Sequence, residues 1–98
     1  METPTSSRLK SARKAAGLTQ QQLGMALGME PNTASARMNQ YEKGKHAPDF
    51  LTMKRIAKEL DVPVAYFYCE EDILSELICA LGKLSREEQK EILSKIKL

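Results

Sequence analysis

The sequence has little with which to build reactive chemistry. Its 98 residues hold one histidine, His46, and two cysteines, Cys69 and Cys79. That set falls short of the four ligands of a structural zinc site, so neither metal nor cofactor is expected, and the thiols read as buried or half-buried packing groups. No nucleophile stands beside a base, and no glycine-rich phosphate loop or carboxylate pair is visible. The chain is also too short to carry a self-cleaving protease domain, so an enzyme is not expected. No apolar run approaches membrane-spanning length. Sparse cysteine and the lack of a secretory segment fit a reducing, cytoplasmic compartment. Strand alternation, internal repeats and low-complexity tracts are missing too, which leaves an all-α fold with one modest core.

Charge is the first positive signal. The formal net charge is only +2, but residues 1–45 carry seven basic against three acidic side chains, and the remainder eight against ten. A basic half joined to a mildly acidic one fits a surface facing a polyanion and a second part with another task.

Helix signals then follow one another along the chain. Residues 1–5 read as a loose arm, with Ser6 or Ser7 capping a first helix through Ala16 whose inner face carries Leu9, Ala12 and Ala16. After Gly17, Thr19 caps a second helix from Gln20 to Leu27, and Gly28 stops it. Met29 to Thr33 contain Pro31 and Asn32 and read as a turn. A third helix is expected to begin between Asn32 and Ser35 and to run to Lys43, with Met38 and Tyr41 inward and Gly44 after it. Asp49 caps a fourth helix to Leu60, striped by Phe50, Met53, Ile56, Ala57 and Leu60. Pro63 opens a short fifth that buries Val64 and Phe67. From Glu70 two further helices follow. The first has an apolar face of Ile73, Leu74, Leu77, Ile78 and Leu81. The second is started by the Ser85/Glu88 capping box and striped by Ile92, Leu93 and Ile96. The expected organisation is thus an arm (1–5), a five-helix domain (6–68) and a two-helix extension (69–98).

Between Arg8 and Tyr68 the residues resemble the Cro/repressor-type (XRE) helix-turn-helix family. The resemblance rests on Arg13, Gly17-Leu18-Thr19-Gln20, Leu23-Gly24, Gly28, Glu42-Lys43-Gly44 and Pro48, in that order. It implies a domain that reads double-stranded DNA with its third helix. It assigns base contact to Ser35, Ala36, Arg37, Asn39 and Gln40, whose chemistry suits guanine, adenine and the thymine methyl. Gln20, with Gln21 beside it, then meets a phosphate at the start of the second helix, and Lys43, Lys45 and His46 follow the backbone after the third. Arg13 and Glu42 form a brace between the first and third helices.

Two features depart from the family. The interval from Met29 to Glu42 is longer than usual by about one helical turn. Pro31 and Asn32 favour a longer turn between helices, while an added turn of the reading helix stays open. Gly24 replaces the usual alanine, which permits close helix contact at a cost of about 1 kcal/mol in helix propensity.

The extension lies outside the resemblance, and its apolar residues suit homodimerisation, which would let two domains read a palindromic operator. Its alternative is to fold back on its own domain. The expected function is a transcriptional regulator, a repressor of a bacterium or phage. The other readings are an antitoxin-type autorepressor whose C-terminal helices bind a protein partner, and an adaptor that has lost DNA binding.

Overall fold

The computed structural model describes residues 3–97, and those residues form seven α-helices with no strand among them. They are α1 (Pro4–Ala15), α2 (Gln20–Ala26), α3 (Pro31–Glu42), α4 (Phe50–Leu60), α5 (Ala65–Tyr68), α6 (Asp72–Gly82) and α7 (Arg86–Ile96).

Local capping chemistry explains most of the boundaries. The hydroxyl of Thr19 accepts the Gln22 amide at 3.0 Å while the Gln22 side chain accepts the Thr19 amide at 2.8 Å, closing a reciprocal capping box on α2. Ser85 and Glu88 do the same for α7, and the Asp49 carboxylate accepts the Thr52 amide at 2.8 Å on α4. After α4 the chain turns through Asp61 at φ 55°, a left-handed position that aspartate tolerates better than most residues.

Two starts differ from the sequence expectation. Helix α1 begins before Ser6: Thr3 is its N-cap, Pro4 occupies the first turn where a missing N–H costs nothing, and Ser6 takes the third position of a capping box. Thr3, Pro4 and Thr5 are therefore part of the helix start rather than an arm, and Met1 and Glu2 lie outside the described residues. Helix α3 likewise opens on Pro31, with Glu30 as N-cap, so the extra residues lengthen this helix at its leading end instead of extending the turn. In both places proline serves as a helix starter, which its fixed φ allows.

The core belongs to α1–α5. Leu9, Leu23, Met38, Met53, Ile56 and Phe67 are each at most 1% exposed, and Ala12, Leu27, Ala34, Ala57 and Leu60 complete it. Two stripe residues lie elsewhere than expected. Ala16 is the exposed C-cap of α1, and Phe50, at the first position of α4, is 55% exposed and tilts against the Tyr68 ring at 6.2 Å.

Helix α6 meets the domain through Ser75, Cys79 and Gly82, with Ile78 and Leu81 half-buried. Ser75 is buried, Cys79 half-buried, and Gly82 sits so close to Pro63 that a Cβ would lie 2.6 Å from the ring. Ile73, Leu74 and Leu77, which the sequence offers as a packing face, point to solvent instead, and α7 buries no residue. No helix among the described residues is long and apolar enough to cross a membrane.

Candidate nucleic-acid interface

Helix α3 is seated by contacts that leave one of its faces open. Ala34 and Met38 are fully buried, and Ala34 meets α2 at Gly24, where an added Cβ would lie 2.6 Å from that of Ala34. Only glycine permits so close a crossing. At its far end, Glu42 is 3% exposed and takes a two-pronged grip from Arg13: Nε donates to Oε2 at 2.6 Å and Nη2 to Oε1 at 3.1 Å. The third arm of the same guanidinium, Nη1, donates to the Leu18 carbonyl at 2.8 Å. Both charges are buried and both are saturated with partners, the condition under which a buried ion pair holds its elements in place.

Gln20 joins this network. Its amide Nε2 donates to Glu42 Oε1 at 3.1 Å and to Asn39 Oδ1 at 3.2 Å. The side chain expected at a phosphate is thus occupied within the protein, bridging the start of α2 to the end of α3. Asn39 is half-buried on the same seam, so of the five expected base readers it is the one tied down. Gln21 is exposed and donates to the Pro31 carbonyl at 3.2 Å, which links α2 to the first turn of α3.

The remaining expected readers, Ser35, Ala36, Arg37 and Gln40, are all exposed. By helical phase, Ala36 and Gln40 lie opposite the buried Ala34 and Met38, while Ser35 and Arg37 flank them on either side. The added turn contributes two residues that sequence reasoning assigned to a turn: Asn32 and Thr33 are exposed and continue the face of Ala36 and Gln40. Their signal was available in Pro31, read as a first-turn residue and not as a breaker.

Beyond α3 the chain folds back along the helix end, with the Lys45 amide donating to the Gln40 carbonyl at 3.0 Å and the Gly44 amide to Tyr41 at 3.2 Å. This brings His46 and Ala47 beside Arg37, Gln40 and Tyr41 around a shallow polar cleft of about 320 Å³. Lys43 and Lys45 are exposed next to it. A polar, hydrogen-bonding helix face is therefore flanked by cations on a loop pinned to it.

Residues 9–67 match the family model described as helix-turn-helix. The chain belongs to the XRE-type helix-turn-helix family. A solved structure similar to this helix-turn-helix protein is titled that of the transcriptional regulator BswR. It is 49% identical, with a TM-score of 0.89 over 94% of this chain and 91% of that one. No curated protein matches. The family match stops at Phe67, whereas the similarity to the solved structure covers nearly the whole chain.

Proposed function

We propose that this helix-turn-helix protein reads double-stranded DNA by sequence and represses transcription by occupying a palindromic operator as a dimer. The observation that carries the reading is the open polar face of α3, fixed from behind by the buried Arg13–Glu42 pair. Arg37 suits the O6 and N7 acceptors of guanine, Gln40 the N6 and N7 of adenine, and Ala36 a thymine methyl. Asn32, Thr33 and Ser35 extend the face toward the leading end of the helix, and Asn39 reads from its edge. Lys43, Lys45 and His46 hold the backbone and set register without carrying sequence information. With the Gln20 side chain bound to Glu42, phosphate contact at α2 falls to Gln21 and the backbone.

The dimer is supported by the tail. Ile73, Leu74 and Leu77 are 75%, 46% and 51% exposed, and Leu93 and Ile96 on α7 are 54% and 71%. An isolated 11-residue helix is marginal in water, so α7 with no buried residue calls for a second surface. A second copy suits it. The first half of α7 carries Arg86, Glu87, Glu88, Lys90 and Glu91, a net charge of −1, and its end Lys95 and Lys97, so antiparallel pairing sets a weakly acidic start beside a basic end.

Selection from a random duplex pool tests the reading. Enrichment of a palindrome whose affinity falls steeply with salt is the expected result; no enrichment at low salt overturns it. A small protein that co-purifies with the chain in place of self-association would assign the tail to a different partner.

A further inference from the structure

Arg8 is an arginine on α1 that the DNA-reading surface does not use. It is only 8% exposed, and its guanidinium meets three structural elements at once. Nε donates to the carbonyl of Cys69, just after α5, at 2.7 Å. Nη2 pairs with the Asp72 carboxylate in the first turn of α6 at 3.2 Å, and the group lies 5.7 Å from the centre of the Tyr66 ring of α5. The Asp72 side chain is 93% exposed, so that ion pair alone contributes little. The part-buried bond to the carbonyl and the ring contact give the cluster its stiffness.

Only residues 69–71 connect α5 to α6. Along its length α6 buries Ser75 and half-buries Ile78 and Cys79, and at its two ends this cluster and the Gly82–Pro63 contact hold the angle between domain and tail. The angle has leverage. The molecule is 52 Å long, and a swing of about 10° at the linker displaces a point half that length away by about 4.5 Å, more than the rise of about 3.4 Å per base pair. In a dimer joined through its tails, such a swing moves the two α3 helices out of register with half-sites on one DNA.

We infer that Arg8 is a positioning residue that sets the spacing at which the two half-sites are read. The inference rests on the dimeric reading proposed above. It separates two properties that base contacts alone would not separate: affinity for a half-site, and tolerance of its distance from the next.

The test uses full-length wild type and Arg8→Met on the selected palindrome, on duplexes with the half-sites moved apart or together by single base pairs, and on a lone half-site. Wild type is expected to lose about tenfold or more when the spacing changes, as for a mismatched base pair. Arg8→Met is expected to flatten that profile to within about threefold while sedimenting as the same dimer and binding the lone half-site as wild type does. Arg8→Lys, which keeps the charge but not the fork, should recover part of the preference. The tail itself supplies a second readout. Cys79, whose thiol is pushed up chiefly by burial, faces the cleft that Tyr66 also lines, and its alkylation should quicken when the tail loosens. An Arg8→Met dimer that keeps the sharp profile overturns the inference. So does a flat profile accompanied by loss of the dimer. A wild-type dimer that ignores spacing also overturns it; if wild type is a monomer, the dimeric reading itself fails, and wild type alone shows this.

Discussion

The two parts of this chain use apolar residues in opposite ways. In α1–α5 the large ones are inside, with Leu9, Leu23, Met38, Met53, Ile56 and Phe67 at most 1% exposed. In α6 and α7 only Ser75 is buried, and Ile73, Leu77, Leu93 and Ile96 face out, all more than half exposed. The first part satisfies itself and leaves a polar helix face for a ligand. The second leaves apolar surface exposed, and under the proposed reading a second copy covers it. Exposure thus has two meanings here: polar on α3, apolar on α6 and α7.

The contrast breaks most readily at the brace. Glu42→Ala leaves Arg13 buried without its carboxylate and should cost about 3–5 kcal/mol in chemical denaturation of the N-terminal part. Leu77→Lys should do the reverse. It places a charge on the outward face of α6, weakens self-association by about thirtyfold or more in sedimentation, and leaves the melting of α1–α5 near wild type.

Smaller effects sharpen the reading face. Gln40→Ala should cost about 1–3 kcal/mol and relax preference at one base pair in a binding titration. Asn32→Ala tests whether the added turn of α3 reads DNA in the same way. Lys45→Ala should weaken all sequences about equally and lower the salt slope by about one.

The smallest effect is one of pH. The Thr52 amide, the larger cause, and the Thr52 side chain hold the Asp49 carboxyl below its ordinary range. A carboxylate with a lowered folded pKa contributes stability that is complete above its unfolded pKa of about 3.9 and is lost as the pH falls through the lower folded value. Acid melts of wild type should therefore show a decline below pH of about 4 that Asp49→Asn, still a good cap, makes shallower.

Much of this was legible in the sequence because the signals are local. Thr19, Asp49 and Ser85 cap the helices they precede. The close approach at Gly24 also followed from residue type. The missed features depend on choices that local sequence leaves open. Proline both breaks and begins helices, and Pro4 and Pro31 begin them here because Thr3 and Glu30 supply the entry conformation. Periodicity located an apolar stripe on α6 but not its direction, which Ser75 and Gly82 decide by fitting against the domain where larger side chains would not. Gln20 has the chemistry for either a phosphate or a carboxylate, and folding places Glu42 within its reach.

The most direct measurement is the mass of the complex formed on a selected palindromic duplex, by sedimentation of the full-length protein. Two copies of the 11.0 kDa chain per palindrome, arriving from a free dimer, and contact that Gln40→Ala weakens, are the predicted results. One chain per duplex, or a complex indifferent to both Gln40 and DNA sequence, would contradict the account.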